Sequence, residues 1–363
     1  MKAKTRRQDI ERKVNMQHGG EIYGLSSIQY DFSVNINPLG VPGHVLDALR
    51  EGLPLVERYP DQYYSELKQA LSEKLSVPDN YILCGNGASE LIQAAVNAVG
   101  KGPGGRVLLT APCFSGYERA VRSAGKTIDY FYLNRSDNFA VTREILPRIQ
   151  SSLDLLILCS PSNPVGNTIE SGLLLDILQT CREKDIPLLL DECFLGFLED
   201  GDRRSMRKYL KDYPNLLIVD AFTKRYALPG IRLGYLLCSN QELLKRIQLL
   251  QAEWSVSSLA QIAGVESLKN DEAYLKEARD LITEERSYLE KSLSALGFQV
   301  YRGEANYMLF ETHREIFDPL IKAGFLIRHC DNYEGLGHDF YRIAIKGHSD
   351  NEKLIQALKE ICR

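Results

Sequence analysis

Lys224 stands in Phe222-Thr-Lys-Arg-Tyr-Ala-Leu-Pro-Gly-Ile-Arg-Leu-Gly-Tyr235, directly behind the apolar run Leu216-Leu-Ile-Val219, and Arg232 follows in the same segment. A lysine at the end of a buried strand can hold an aldehyde as a Schiff base while a nearby arginine holds a phosphate. A lone lysine is more often a solvated surface charge, so its surroundings decide. Asp191 closes Leu188-Leu-Leu190 and opens Asp191-Glu-Cys-Phe-Leu-Gly-Phe197. A carboxylate at that edge can keep a pyridinium nitrogen protonated, or it can be an ordinary turn aspartate. Ser160-Pro-Ser-Asn-Pro-Val-Gly166 is a tight turn presenting Asn163, and Cys84-Gly-Asn-Gly-Ala-Ser-Glu90 opens an amphipathic helix whose first amides can bind an anion. Alone, each of these two turns is a weak signal.

Holding such groups together requires a sheet whose strand ends converge. Runs apolar on both faces occur at 106–110, 127–132, 155–159, 187–191, 216–219 and 233–237. They predict an α/β domain over 46–240, a mostly parallel central sheet sandwiched by helices. Beyond Gln241 the text turns helical and charged, with apolar residues at three- and four-residue spacing over 275–294. Strand-like stretches follow at 298–301 and 305–310, and a closing helix near 350–361. This predicts a smaller α+β domain over 241–363. Residues 1–45 hold His18-Gly-Gly20 and Asn35-Ile-Asn-Pro-Leu-Gly40 and predict an ordered arm, neither helix nor strand.

With 363 residues, 44% of them hydrophobic, the chain can bury one large core or two ordinary ones, which excludes disorder. Its 44 Lys+Arg and 48 Asp+Glu are interspersed and sum to −4, so no basic stripe favours nucleic acid, and a small substrate is expected. The eight cysteines lie singly, without a C-x-x-C pair or zinc spacing, and predict buried reduced thiols and no metal. No apolar run reaches the length of a membrane span, and Arg6-Arg7 and Arg12-Lys13 precede no signal core, so a cytoplasmic location is expected.

Taken in order, the four pieces resemble the fold-type I, pyridoxal-phosphate-dependent aminotransferase superfamily over nearly the whole chain. The resemblance implies Lys224 as the Schiff-base lysine, Asp191 as the pyridinium partner, Asn163 as donor to the ring hydroxyl, and Phe114, in Pro112-Cys-Phe-Ser-Gly-Tyr117, as the ring-stacking aromatic. It places Gly87, Ala88, Ser89, Thr223 and Arg232 around the cofactor phosphate. Tyr59, in Arg58-Tyr-Pro-Asp61, matches a tyrosine that reaches the phosphate from the neighbouring subunit, which implies a homodimer with shared active sites.

Within the superfamily, His18-Gly-Gly20, Asp31-Phe-Ser-Val-Asn-Ile-Asn-Pro-Leu-Gly40 and the Arg58 motif are similar to the opening of the threonine-phosphate decarboxylases of cobalamin synthesis. Histidinol-phosphate aminotransferases share the later motifs and usually lack this opening. Phe325-Leu-Ile-Arg-His-Cys-Asp-Asn-Tyr-Glu-Gly-Leu336 and Phe340-Tyr-Arg-Ile-Ala-Ile-Lys346 point the same way. The resemblance implies His18, Gly19, Asn35, Asn163, Arg328 and Arg342 as binders of a phosphorylated amino acid, whose carboxylate and phosphate two arginines can clamp. It implies loss of carbon dioxide to a phosphorylated amino alcohol, with amino transfer from histidinol phosphate as the alternative and a non-catalytic sensor behind both. Phe194 stands where many aminotransferases carry a tyrosine donating to the ring hydroxyl; either that donor is dispensed with or the position needs only an aromatic. Ser162, Val165, Arg225 and Ala88-Ser89 also depart from the common pattern and bear on the substrate, not the cofactor.

Overall fold

The computed structural model describes residues 19–20, 22–23, 27–100 and 102–363; His18 lies outside them. The arm is not devoid of strand. Its residues Tyr30–Asp31 form β1, a two-residue parallel pairing that rests on partners at the far end of the chain, which local sequence does not reveal.

Seven strands build the main sheet: β2 (Ile82–Gly85), β3 (Arg106–Ala111), β4 (Thr127–Tyr132), β5 (Leu155–Cys159), β6 (Leu188–Asp191), β7 (Leu216–Ala221) and β8 (Gly234–Leu237). Their order is β2-β8-β7-β6-β5-β3-β4, and only β8 runs against its neighbours. Every residue of β5, β6, β7 and β8 is buried, which is why these segments read as unbroken apolar runs. β2 escaped that reading because its four residues run straight into the glycine turn. From β3 the chain steps outward to β4, then crosses back to β5, so strand order reverses between β3 and β5. Open α/β sheets bind ligands outside the carboxyl ends of strands at such a reversal.

The second sheet is built from β9 (Gln299–Val300), β10 (Tyr307–Glu311), β12 (Arg328–His329) and β13 (Phe340–Ala344), antiparallel in the order β12-β13-β10-β9, while β11 (Phe325–Leu326) pairs with β1. Helices Glu272–Ala295 and His348–Ile361 cover it through Ile282, Leu289, Leu293, Leu354, Ile355 and Leu358. Packing does not divide at residue 240. Helices Gln241–Gln248 and Ser258–Leu268 bury Leu243, Leu244, Ile247, Ala260 and Ala263 in the core of the large sheet. Gly264 lets the second of these helices press on Leu67 and Leu233, where a Cβ would fall 2.6 Å from either side chain. Among the described residues no helix is long and apolar enough to cross a membrane.

Candidate active site

Asp191 ends β6, and both of its carboxylate oxygens are held as acceptors: Oδ2 by the Tyr117 hydroxyl at 2.5 Å and Oδ1 by the Cys193 amide at 2.9 Å. Burial, and then the charge of Asp191, push the Tyr117 phenol well above its usual pKa, so it stays a donor. Phe114 precedes the helix Ser115–Ser123 at the end of β3 and meets Tyr117 edge-on, with centroids 5.4 Å apart.

Lys224 lies in the one-turn helix Phe222–Arg225 that follows β7. Its Nζ lies 5.9 Å from the centre of the Phe194 ring. Burial foremost, then the guanidinium groups of Arg342 and Arg232, bring its pKa down from 10.5 to about 8. A lysine so placed is a competent nucleophile near neutral pH, where an ordinary surface lysine is almost wholly protonated. Asn37 fixes the turn: its amide donates to Lys224 O and its Nδ2 to Arg225 O, both at 2.9 Å.

Next to the lysine, β2, β8 and β7 align Gly85, Gly234 and Ala221 in register. Gly87 caps the helix Ala88–Ala98 with φ +79, a conformation open to glycine, and a Cβ there would meet Arg232 Nη2 at 2.6 Å. Gly234 has no room for a Cβ either, which would sit 2.7 Å from the Ala88 amide. The Thr223 hydroxyl is buried without a hydrogen-bond partner. Ser89 and Arg232 are exposed on the same rim. A helix N-terminus, a guanidinium and an unpartnered hydroxyl together make a phosphate cradle.

Arg328 and Arg342 are register partners on β12 and β13, and both are buried. Arg342 donates to Asn163 Oδ1 at 2.6 Å, to Ser33 O at 2.8 Å and to Tyr333 OH at 3.4 Å. With its amide oxygen turned to the guanidinium, Asn35 also accepts from Arg342, at 3.3 Å. Arg328 bonds Asn332 Oδ1 at 2.6 Å and lies over the Tyr333 ring. Gly19 is packed onto Ser33 so closely that a Cβ would fall 2.2 Å from its carbonyl, and the Gly20 amide bonds Ser33 Oγ at 2.8 Å. The predicted residues Gly19, Asn35, Asn163, Arg328 and Arg342 therefore form one cluster beside Lys224. Tyr59 does not join them within this chain: it is exposed and packs on Trp254 with centroids 4.6 Å apart.

Tyr117, Tyr333, Ser33 and Asn37 were not singled out from the sequence. All four lie inside quoted motifs, and Tyr117 stands one helical turn beyond Phe114. Their roles depend on partners far away in the chain, such as Asn163 for Tyr333.

The family model for aminotransferase class I and II matches residues 27–361. The chain belongs to that family. It is 38% identical over 358 residues to threonine-phosphate decarboxylase of Salmonella typhimurium strain LT2, covering 96% of this chain and 97% of that protein. A histidinol-phosphate aminotransferase of Desulfitobacterium hafniense strain DCB-2 is 32% identical over 336 residues, 91% of each chain. The crystal structure of the histidinol-phosphate aminotransferase from Clostridium acetobutylicum matches with a TM-score of 0.85 at 32% identity, over 92% of this chain and 99% of that one. The fold is thus that of the fold-type I transferases, whose cofactor is pyridoxal phosphate, and the donor set fits that cofactor. Lys224 suits its aldehyde, Asp191 its ring nitrogen, Phe114 its ring face, and the Gly87-to-Ser89 turn, with Thr223 and Arg232, its phosphate.

Proposed function

We propose that the chain is a pyridoxal-phosphate-dependent decarboxylase of an O-phospho-L-amino acid, O-phospho-L-threonine or its smaller relative O-phospho-L-serine, acting as a homodimer. The Salmonella relative's name supports the decarboxylation, and the name of a bifunctional adenosylcobalamin biosynthesis protein of Leptospira interrogans, 31% identical over 95% of this chain, supports a phosphorylated amino alcohol product suited to link the cobalamin nucleotide loop. One observation carries the reading. Arg342 is buried and its partners among the described residues are neutral oxygens, so its charge has no counter-ion. A desolvated guanidinium without an anion is costly, and a bound anionic substrate removes the cost. Arg328, directly opposite on the neighbouring strand, offers a second cationic group for the other end of a dianionic substrate.

When bound, the cofactor supplies an electron sink for the pair left on the α-carbon. The chain's own residues decide which bond yields that pair. The two arginines, with Asn35 and Asn163, would fix the substrate's anionic ends and so decide which bond of the α-carbon is presented for cleavage. Asp191, held by the Tyr117 hydroxyl and the Cys193 amide, would keep the cofactor's ring nitrogen protonated. Lys224, titrating near 8, can carry the proton that replaces carbon dioxide on the α-carbon.

Purified enzyme given O-phospho-L-threonine should release carbon dioxide without any keto acid. Turnover of histidinol phosphate that depends on 2-oxoglutarate, with no gas from either phospho-amino acid, would establish the aminotransferase reading.

A further inference from the structure

The loop between β12 and β13 carries Asn332 and Tyr333, the residues that hold Arg328, Arg342 and Asn163. At its two ends stand His329 and His338. His329 Nε2 lies 2.7 Å from the carbonyl oxygen of His338. A carbonyl only accepts, so Nε2 carries a proton, and in the neutral ring Nδ1 is left with a lone pair. That lone pair faces a carboxylate, Asp331 Oδ2, at 3.6 Å. The ring is also confined, by Tyr341 stacked at 4.9 Å and Phe317 at 5.3 Å. A lone pair opposed to a carboxylate requires a cation between them, either a proton or a metal.

The surroundings favour the metal. One ligand atom from each of His329, Asp331 and His338 lies within 4.8 Å of the others. Glu315 Oε2, 3.6 Å from His338 Nε2, adds a second carboxylate at the rim, enough to balance a divalent charge. A backbone carbonyl on the far nitrogen of a histidine is the usual outer support of a metal ligand. Asp331 and His338 are exposed and free to turn inward, closing the cluster to the ~3.3 Å ligand spacing that zinc bonds of about 2.0–2.1 Å require.

We propose that His329, Asp331 and His338 bind a first-row divalent cation of the zinc class. Cysteine spacing carries no hint of it, because the site is built from imidazole and carboxylate. The metal fastens the two ends of the loop and so steadies Asn332 and Tyr333 against the substrate arginines. This last consequence rests on the decarboxylase reading; metal binding does not.

The test titrates chelator-stripped, tag-free holoenzyme with zinc chloride by calorimetry, alongside His338→Ala, Asp331→Asn and, as a control, His44→Ala, whose histidine contacts the Glu266 carbonyl outside this cluster. One zinc per chain is expected, held by nitrogen and oxygen alone in X-ray absorption. Affinity should fall at least about tenfold in His338→Ala and Asp331→Asn and stay unchanged in His44→Ala. Zinc should also lower KM for phosphothreonine in the parent enzyme and not in His338→Ala. Absent binding, a sulfur-bound zinc, or equal affinity in the parent and both cluster variants would overturn the proposal and leave an imidazolium–carboxylate pair. A failure of the decarboxylase reading would show separately, as no carbon dioxide with or without zinc while the isotherm remained.

Discussion

Lys224 owes its depressed pKa to burial first and to Arg342 second, so the arginine tunes the amine as well as holding the substrate. Replacing Arg342 with Met removes a positive neighbour that disfavours the ammonium. The lysine pKa should rise, read from the pH dependence of Lys224 acylation in cofactor-free protein by mass spectrometry, and kcat/KM should fall at least about tenfold. Because its folded pKa lies below 10.5, the buried ammonium weakens the fold at pH 7, and that penalty fades as pH climbs from about 8 toward 10.5. Lys224→Met should therefore raise Tm at pH 7 and gain less at pH 10. Thr223 gives a second test. Its buried, unpartnered hydroxyl costs the cofactor-free fold about 1–3 kcal/mol, so Thr223→Val should raise Tm without cofactor and weaken pyridoxal phosphate binding. Lys224 and Asp191 were legible in the sequence because each terminates an apolar strand. Tyr117 was not, since its partner is 74 residues away and no spacing encodes it.

At the level of elements, the close contact of β8 with the glycine turn after β2 shapes the phosphate cradle. A methyl group at Gly234 would strike the Ala88 amide and the Gly87 carbonyl carbon, which are backbone and cannot swing aside. Gly234→Ala should cost about 1–3 kcal/mol of stability and loosen the cofactor, measured by dialysis at fixed temperature. The strands β5 to β8 were readable because burial on both faces leaves no charged position before Asp191 and Asp220 at their carboxyl ends. Helices Gln241–Gln248 and Ser258–Leu268 are legible as helices, while their packing in the core of the large sheet is not. An apolar helix face declares that it is buried, not against which sheet.

Across the whole molecule, Leu53, Val56, Tyr59, Tyr63, Leu249, Leu250 and Trp254 remain exposed, more large apolar side chains than the rest of the described surface carries. Exposed apolar area of this kind suits an interface, and the proposed homodimer would cover it while bringing Tyr59 to its partner's phosphate cradle. Mixing inactive Lys224→Ala chains with Tyr59→Phe chains by joint refolding should then recover activity above the average of the two parents. Each mixed dimer would hold one site with both native residues. A strict average of the parental rates would count against shared sites.

The segment from Tyr30 to Asn37 is stitched to both sheets: through Leu326, Asn306 and Ala344 on one side, and Lys224 and Arg225 on the other. Ser33 waits for Arg342, 309 residues later. During synthesis the large sheet can close once β8 has emerged, yet the substrate cleft has no floor until β13 is made. Contacts of such sequence separation form late. A nascent chain interrupted between the helix Ser258–Leu268 and β13 would thus be a folded sheet bearing an uncommitted lysine, able to meet the cofactor before it can choose a substrate.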